Sequence, residues 1–174
     1  MSKNILLILA PTGYQDIEYQ RTRAVLEQAG CVIVVASGRG GTAQGKFGGS
    51  VEQAVPLTGV QVEDFDAIVF IGGPGAEAYT RDPEALRIAH QAMRAEMPLG
   101  AICIAPLILA KAKVLGGRRA TVWDDGQETQ ANILRHAGAQ YTGDSVTRDG
   151  MIVTGNGPEA SEEFGRTLVE LMRG

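Results

Sequence analysis

Two patterns of apolar and polar positions take turns along the chain. Short continuous apolar runs recur at NILLILA (4–10), CVIVVAS (31–37), DAIVFI (66–71), PLGAIC (98–103) and MIVTG (151–155). Runs of this length, β-branched and bounded by turn residues, predict strands, the most apolar of them buried on both faces. RRATVW (118–123) predicts one more strand. Between them lie helical patterns. In IEYQRTRAVLEQAG (17–30), Ile17, Val25 and Leu26 share a face and Gly30 supplies a C-terminal cap. DPEALRIAHQAMRAE (82–96) opens with an Asp cap and Pro at the first helical position. PLILAKAKV (106–114), DDGQETQANILRHAG (124–138) and GPEASEEFGRTLVELM (157–172) predict three further helices, the last with acidic residues where the helix dipole favours them. The Gly-rich GRGGTAQGKFGGSVEQAVPL (38–57) reads as a loop and a small hairpin. Strands alternating with helices predict an α/β fold in one domain, with a mostly parallel sheet and helices on both faces.

Composition narrows the partners. Net charge is −4 over 174 residues, with 44% apolar and 21% charged residues, an ordinary globular balance that supplies no basic nucleic-acid surface. The pair Arg118–Arg119 is too short for one and reads as a solvated strand entry. ILLILA stops at Pro11 without the features of a signal peptide, and no run approaches the roughly 20 residues of a membrane span. Two distant cysteines form neither a disulfide framework nor a metal-ligand spacing, so a reduced, cytoplasmic protein without metal or cofactor is expected.

Gly40, Gly45 and Lys46 match G-x-x-x-x-G-K, but Phe47 stands where a magnesium-binding Ser or Thr belongs, and Gly48 and Gly49 replace the helix. Nucleotide binding is therefore not expected. His90 and His136 fall in or at the end of helices, away from the strand ends where ligands bind. Cys31 opens a strand and reads as a small core residue.

Cys103 is different. In LGAICIAPLILA (99–110) it lies where a strand gives way to a helix, an arrangement that resembles a nucleophile elbow. Such a turn needs small residues two positions away on either side, and these are Ala101 and Ala105. Amides of the helix start would face the sulfur and favour a thiolate or an oxyanion. Other strand ends add PTGYQDIE, with the carboxylates Asp16 and Glu18, and IGGPG, whose Gly73 amide would complete an oxyanion pocket with that of Ile104. Trp123, which ends the next strand, and Asp124 and Asp125 after it are further pocket candidates.

At these residues the chain resembles the DJ-1/PfpI (ThiJ/PfpI) superfamily. The opening strand, the loop carrying Glu18, the GG turn, AICIAP and the closing DGMIVTGNGPEASEEFGRTLVELM occur in order over nearly the whole chain. The resemblance implies a flavodoxin-like sandwich and a homodimer. It implies that Cys103 is the elbow cysteine, that Glu18 contacts its sulfur, and that Gly73 and Ile104 lend their amides. Two departures stand out. The peptidase-like branch has His directly after the cysteine, where this chain has Ile104; the DJ-1 branch often has His near the end of the next strand, at the position of Trp123. Without either, no base activates the thiol as in a peptidase or an amidotransferase. Three functions follow in order of expectation. One is a cofactor-free thiol enzyme acting on small reactive carbonyls. The second is a redox-responsive protein in which Cys103 is oxidised to sulfenic or sulfinic acid. The last is a cysteine peptidase.

Overall fold

The first apolar run becomes β1, Asn4–Ile8, in which Ile5, Leu6, Leu7 and Ile8 are fully buried, as a strand covered on both faces requires. This computed structural model describes residues 2–174. A short strand β2, Thr12–Tyr14, precedes helix α1, Asp16–Gln28, and strand β3, Val32–Ala36, follows it. The Gly-rich segment forms the antiparallel hairpin β4, Gly41–Gly45, and β5, Ser50–Ala54, with β2 added alongside β4. Next come β6, Ala67–Phe70, and α2, Pro83–Arg94, then β7, Leu99–Ile102, and α3, Pro106–Lys111. The last part holds β8, Arg119–Ala120; α4, Thr129–His136; β9, Gln140–Tyr141; β10, Val146–Asp149; β11, Ile152–Gly155; and α5, Ser161–Arg173.

The central sheet has six strands in the order β10-β11-β7-β6-β1-β3, all parallel except β10. On one face Leu26 of α1 and Phe164 and Leu168 of α5 pack with Ile5, Leu7 and Val69. On the other, Ile88 of α2 and Ile108 of α3 pack with Leu6, Ile8 and Ile68. This is the expected mostly parallel three-layer sandwich. The Asp82 carboxylate caps α2 as its sequence requires, accepting from the amides of Glu84 and Ala85, with Pro83 in the first position. Among the described residues no helix is long and apolar enough to cross a membrane.

The structure departs from the expected elements in several places. Cys31 lies just before β3 and is only partly buried, because β3 is an edge strand and not an interior one. The strand expected over residues 118–123 keeps two residues, paired with β9. Beyond Ala120 the backbone leaves the ladder: Thr121 N donates to Thr154 Oγ1 and Trp123 N to Cys103 O, each at 2.9 Å. α4 starts at Thr129, five residues late, because Asp124 and Asp125 hold the preceding residues in a loop. The segment after IGGPG forms a run of 3-10 turns, Pro74–Arg81, anchored by Tyr79, whose hydroxyl donates to Leu9 O at 2.7 Å and accepts from Gly38 N at 2.9 Å.

Phe164 fills the space left by Gly100 and Gly155 in the sheet beneath it, and it is fully buried. Phe164→Ala should lower the unfolding free energy by about 3–5 kcal/mol, read as a fall in the urea midpoint at constant slope.

Candidate active site

Open parallel sheets bind ligands outside the carboxyl ends of their strands. At that edge three segments of this chain converge: the turn after β6, the turn after β7 and the first turn of α1. Gln15 joins two of them. Its amide donates to Gly72 O at 2.9 Å, while its side-chain Oε1 caps α1 by accepting from Glu18 N at 3.0 Å.

Cys103 occupies the turn from β7 into α3 with φ +65°. A non-glycine residue in this left-handed region costs on the order of 1 kcal/mol or more, so the surrounding bonds must hold it there. They do so from both sides: Cys103 N donates to Gly155 O and Cys103 O accepts from Trp123 N, each at 2.9 Å. Ala101 and Ala105, the small flanking residues, are fully buried.

The Glu18 side chain is 0% exposed. Its Oε1 accepts from Gly72 N at 3.0 Å, and the carboxyl lies beside Cys103. Its Oε2 is buried with no hydrogen-bonding partner. A bare anionic oxygen there is costlier than a neutral hydroxyl. Burial accordingly pushes Glu18 up to about 7, against the opposing effect of the bonds from Cys103 and Gly72. Burial, followed by the Glu18 charge and the Glu18 hydrogen bond, pushes the Cys103 thiol up to about 12, while the amides of Gly73 and Ile104 pull it down. The two acids are coupled: a charged carboxylate keeps the thiol protonated, and a protonated carboxyl removes the charge that holds the thiol up.

Glycine is required at the joint. A Cβ on Gly72 would lie 2.6 Å from Cys103 Cβ and 2.7 Å from Glu18 Oε1. Gly73 has φ +111°, and a side chain there would run into the backbone of residues 13–15. The cleft above the sulfur has a volume of about 400 Å³ and is walled by Gln15, Lys46, Gly73, Pro74, Glu77, Ile104, Trp123, Gln130 and Pro158.

The structure therefore brings together Cys103, Glu18, Gly73 and Ile104, with Trp123, 42% exposed, forming one wall. Asp16 does not line the cleft. Its carboxylate turns to the β4–β5 loop, where Oδ1 accepts from Phe47 N at 2.9 Å and Oδ2 from Gly49 N at 2.7 Å. Asp124 does not line it either. It accepts from the amides of Gly126, Glu128, Gln130 and Ala131 at the start of α4, bonds led by that of Ala131 that hold its carboxyl below the usual range. Asp125 likewise closes this loop, through Thr129 and Gln127. Neither histidine is among the lining residues. The sequence pattern marks none of Gln15, Lys46 and Gln130 as wall residues. Gln15 stands at the cap position before Asp16, and Lys46 reads as part of a near miss to a phosphate loop.

A mostly parallel α/β sandwich with a cysteine on the strand-to-helix turn and a buried glutamate beside it defines a class of flavodoxin-like proteins. The chain belongs to the DJ-1/PfpI family, whose model matches residues 3–171. A deglycase of Pyrococcus horikoshii is 30% identical over 168 residues, covering 97% of this chain and 99% of that protein. The crystal structure of a ThiJ/PfpI domain protein from Brachyspira murdochii superposes with a TM-score of 0.92 at 29% identity, covering 99% of this chain and 97% of the other. Drosophila melanogaster DJ-1beta superposes at 0.87 with 28% identity, covering 99% and 91%.

The raised Glu18 value has a definite sign in stability. The folded state binds this proton more tightly than the unfolded chain does, so its contribution is full below the ordinary value of 4.5 and is lost as pH rises through about 7. The protein should lose about 3 kcal/mol across that window. Glu18→Gln keeps an acceptor for Gly72 and removes the titration. Urea unfolding at pH 4.5 to 8 should show the slope in the parent only, and a more stable variant at pH 8.

Proposed function

We propose that the protein is a thiol enzyme acting on small reactive carbonyls or their adducts, with Cys103 as nucleophile on a nucleophile elbow and Glu18 as proton shuttle. The observation that carries this reading is the sulfur's position between a fully buried carboxyl and two main-chain amides, those of Gly73 and Ile104. Glu18 takes the thiol proton and Sγ attacks the carbonyl carbon. A carbon–sulfur bond forms as the carbonyl π pair moves to oxygen. The Gly73 and Ile104 amides stabilise the alkoxide, and Glu18 returns the proton to it, giving a hemithioacetal. A carboxyl that ionises near neutrality can both accept and return a proton. The name of the 30%-identical Pyrococcus horikoshii deglycase points the same way. With no histidine among the lining residues, a peptidase mechanism lacks its base.

One observation favours a second reading of the same thiol. Glu18 Oε2 is buried without a partner, and its protonated form supplies a donor at a site where an oxidised sulfur would carry acceptor oxygens. On this reading Cys103 is an oxidation sensor.

Cys103→Ser should reduce methylglyoxal consumption by the purified protein roughly a hundredfold or more. Turnover that survives the substitution overturns the enzymatic reading. For the sensor reading, mild peroxide should add oxygen at Cys103 before any methionine, seen by intact-mass and peptide mass spectrometry; a cysteine left unmodified while methionines oxidise removes it.

A further inference from the structure

The hairpin loop between β4 and β5 has no place in the chemistry above, yet it is fastened to the same turn of α1 that carries Glu18. The Asp16 carboxylate is buried and accepts from the amides of Phe47 and Gly49. Gly45 and Gly49 carry no side chain because a Cβ on either would collide with that carboxylate. Lys46 N donates to Tyr14 O at 2.8 Å, and Gly45 N to Gly49 O at 2.8 Å, which closes the loop. The result is a tethered loop whose one cation, Lys46, is part of the cleft wall around Cys103. Its ammonium sits 5.3 Å from the Phe47 ring centroid. Such a contact restrains a lysine without neutralising it. Lys46 makes no ion pair among the described residues and is the only cation in the cleft wall. The one carboxylate of that wall, Glu77, is exposed and equally without an ion pair.

We propose that Lys46 is a specificity-determining residue that selects carbonyl compounds bearing a negative charge, a carboxylate or a phosphate, and that Asp16 is the residue that positions it. The inference rests on the reading of Cys103 as the reacting thiol. Although Glu77 shares the wall, Lys46 gives an anion held on its side of the cleft an attraction that a neutral molecule of similar size lacks. It therefore separates charged from uncharged substrates of similar size.

Alkylation of Cys103 tests this without any turnover. Iodoacetate and iodoacetamide react alike, the sulfur displacing iodide, and differ chiefly in charge. The ratio of their rates at Cys103, followed by peptide mass spectrometry, should fall about fivefold in Lys46→Gln and be kept in Lys46→Arg. Raising the salt should lower the parent's ratio toward that of Lys46→Gln. Asp16→Asn, which loses an acceptor from the loop, should lower the ratio as well. An unchanged ratio in Lys46→Gln overturns the proposal, and an unchanged ratio in Asp16→Asn overturns the positioning role. Glyoxylate and glyceraldehyde 3-phosphate, used separately as protectants against iodoacetamide, distinguish carboxylate from phosphate. Protection by neither beyond that given by glyoxal also overturns it. A Cys103 that reacts with neither reagent overturns instead the reading of Cys103 on which the proposal rests.

Discussion

The carboxyl of Glu18 has no exposed surface, and its bond from the Gly72 amide ties the start of α1 to the end of β6. Burying an acid is unfavourable unless its surroundings compensate, and here they do so only in part, since one oxygen is satisfied and the other is not. The remaining imbalance is expressed as an affinity for a proton. The Cys103 turn, the Gly72–Gly73 turn and the cap at Gln15 are all packed around this one group. Removing space at Gly72 or the cap at Gln15 would shift the acid and the sulfur together.

The first turn of α1 serves two purposes through residues two positions apart. Successive residues of a helix point about 100° apart, so Asp16 and Glu18 face different neighbours. Glu18 enters the sheet edge and meets the thiol, while Asp16 turns outward to the β4–β5 loop. One helical turn therefore holds the carboxyl beside the Cys103 sulfur and a loop of the cleft wall. The backbone strain at Cys103 is confined by the same logic: β11 takes its N–H and Trp123 its carbonyl, so the residue has no relaxed alternative within the sheet.

Much of this was legible in the residues. The continuous apolar runs marked β1, β6, β7 and β11 because strands buried on both faces leave no room for polar alternation. Cys103 stood out because a lone sulfur between two alanines falls at a strand-to-helix junction, and Gly73, Ile104 and the pair Asp16 and Glu18 followed from the strand ends around it, while the choice of Glu18 came from the family resemblance. The failures share a cause. Asp16 and Asp124 were placed in the pocket on proximity in sequence, but a carboxylate near backbone amides is captured by them, and that capture depends on loops no periodicity reveals. The short strands β2, β8 and β9 carry too few residues for a pattern. Lys46 lay inside a near miss to a phosphate loop, and only the folded hairpin brings it to the cleft wall.

The chain contains a single tryptophan, and that residue is Trp123, half-exposed in the wall above the sulfur. Indole emission responds to the polarity and charge in contact with the ring. All of the intrinsic tryptophan fluorescence of this protein therefore originates at the cleft, and occupancy or oxidation at Cys103 has an optical readout that needs no label.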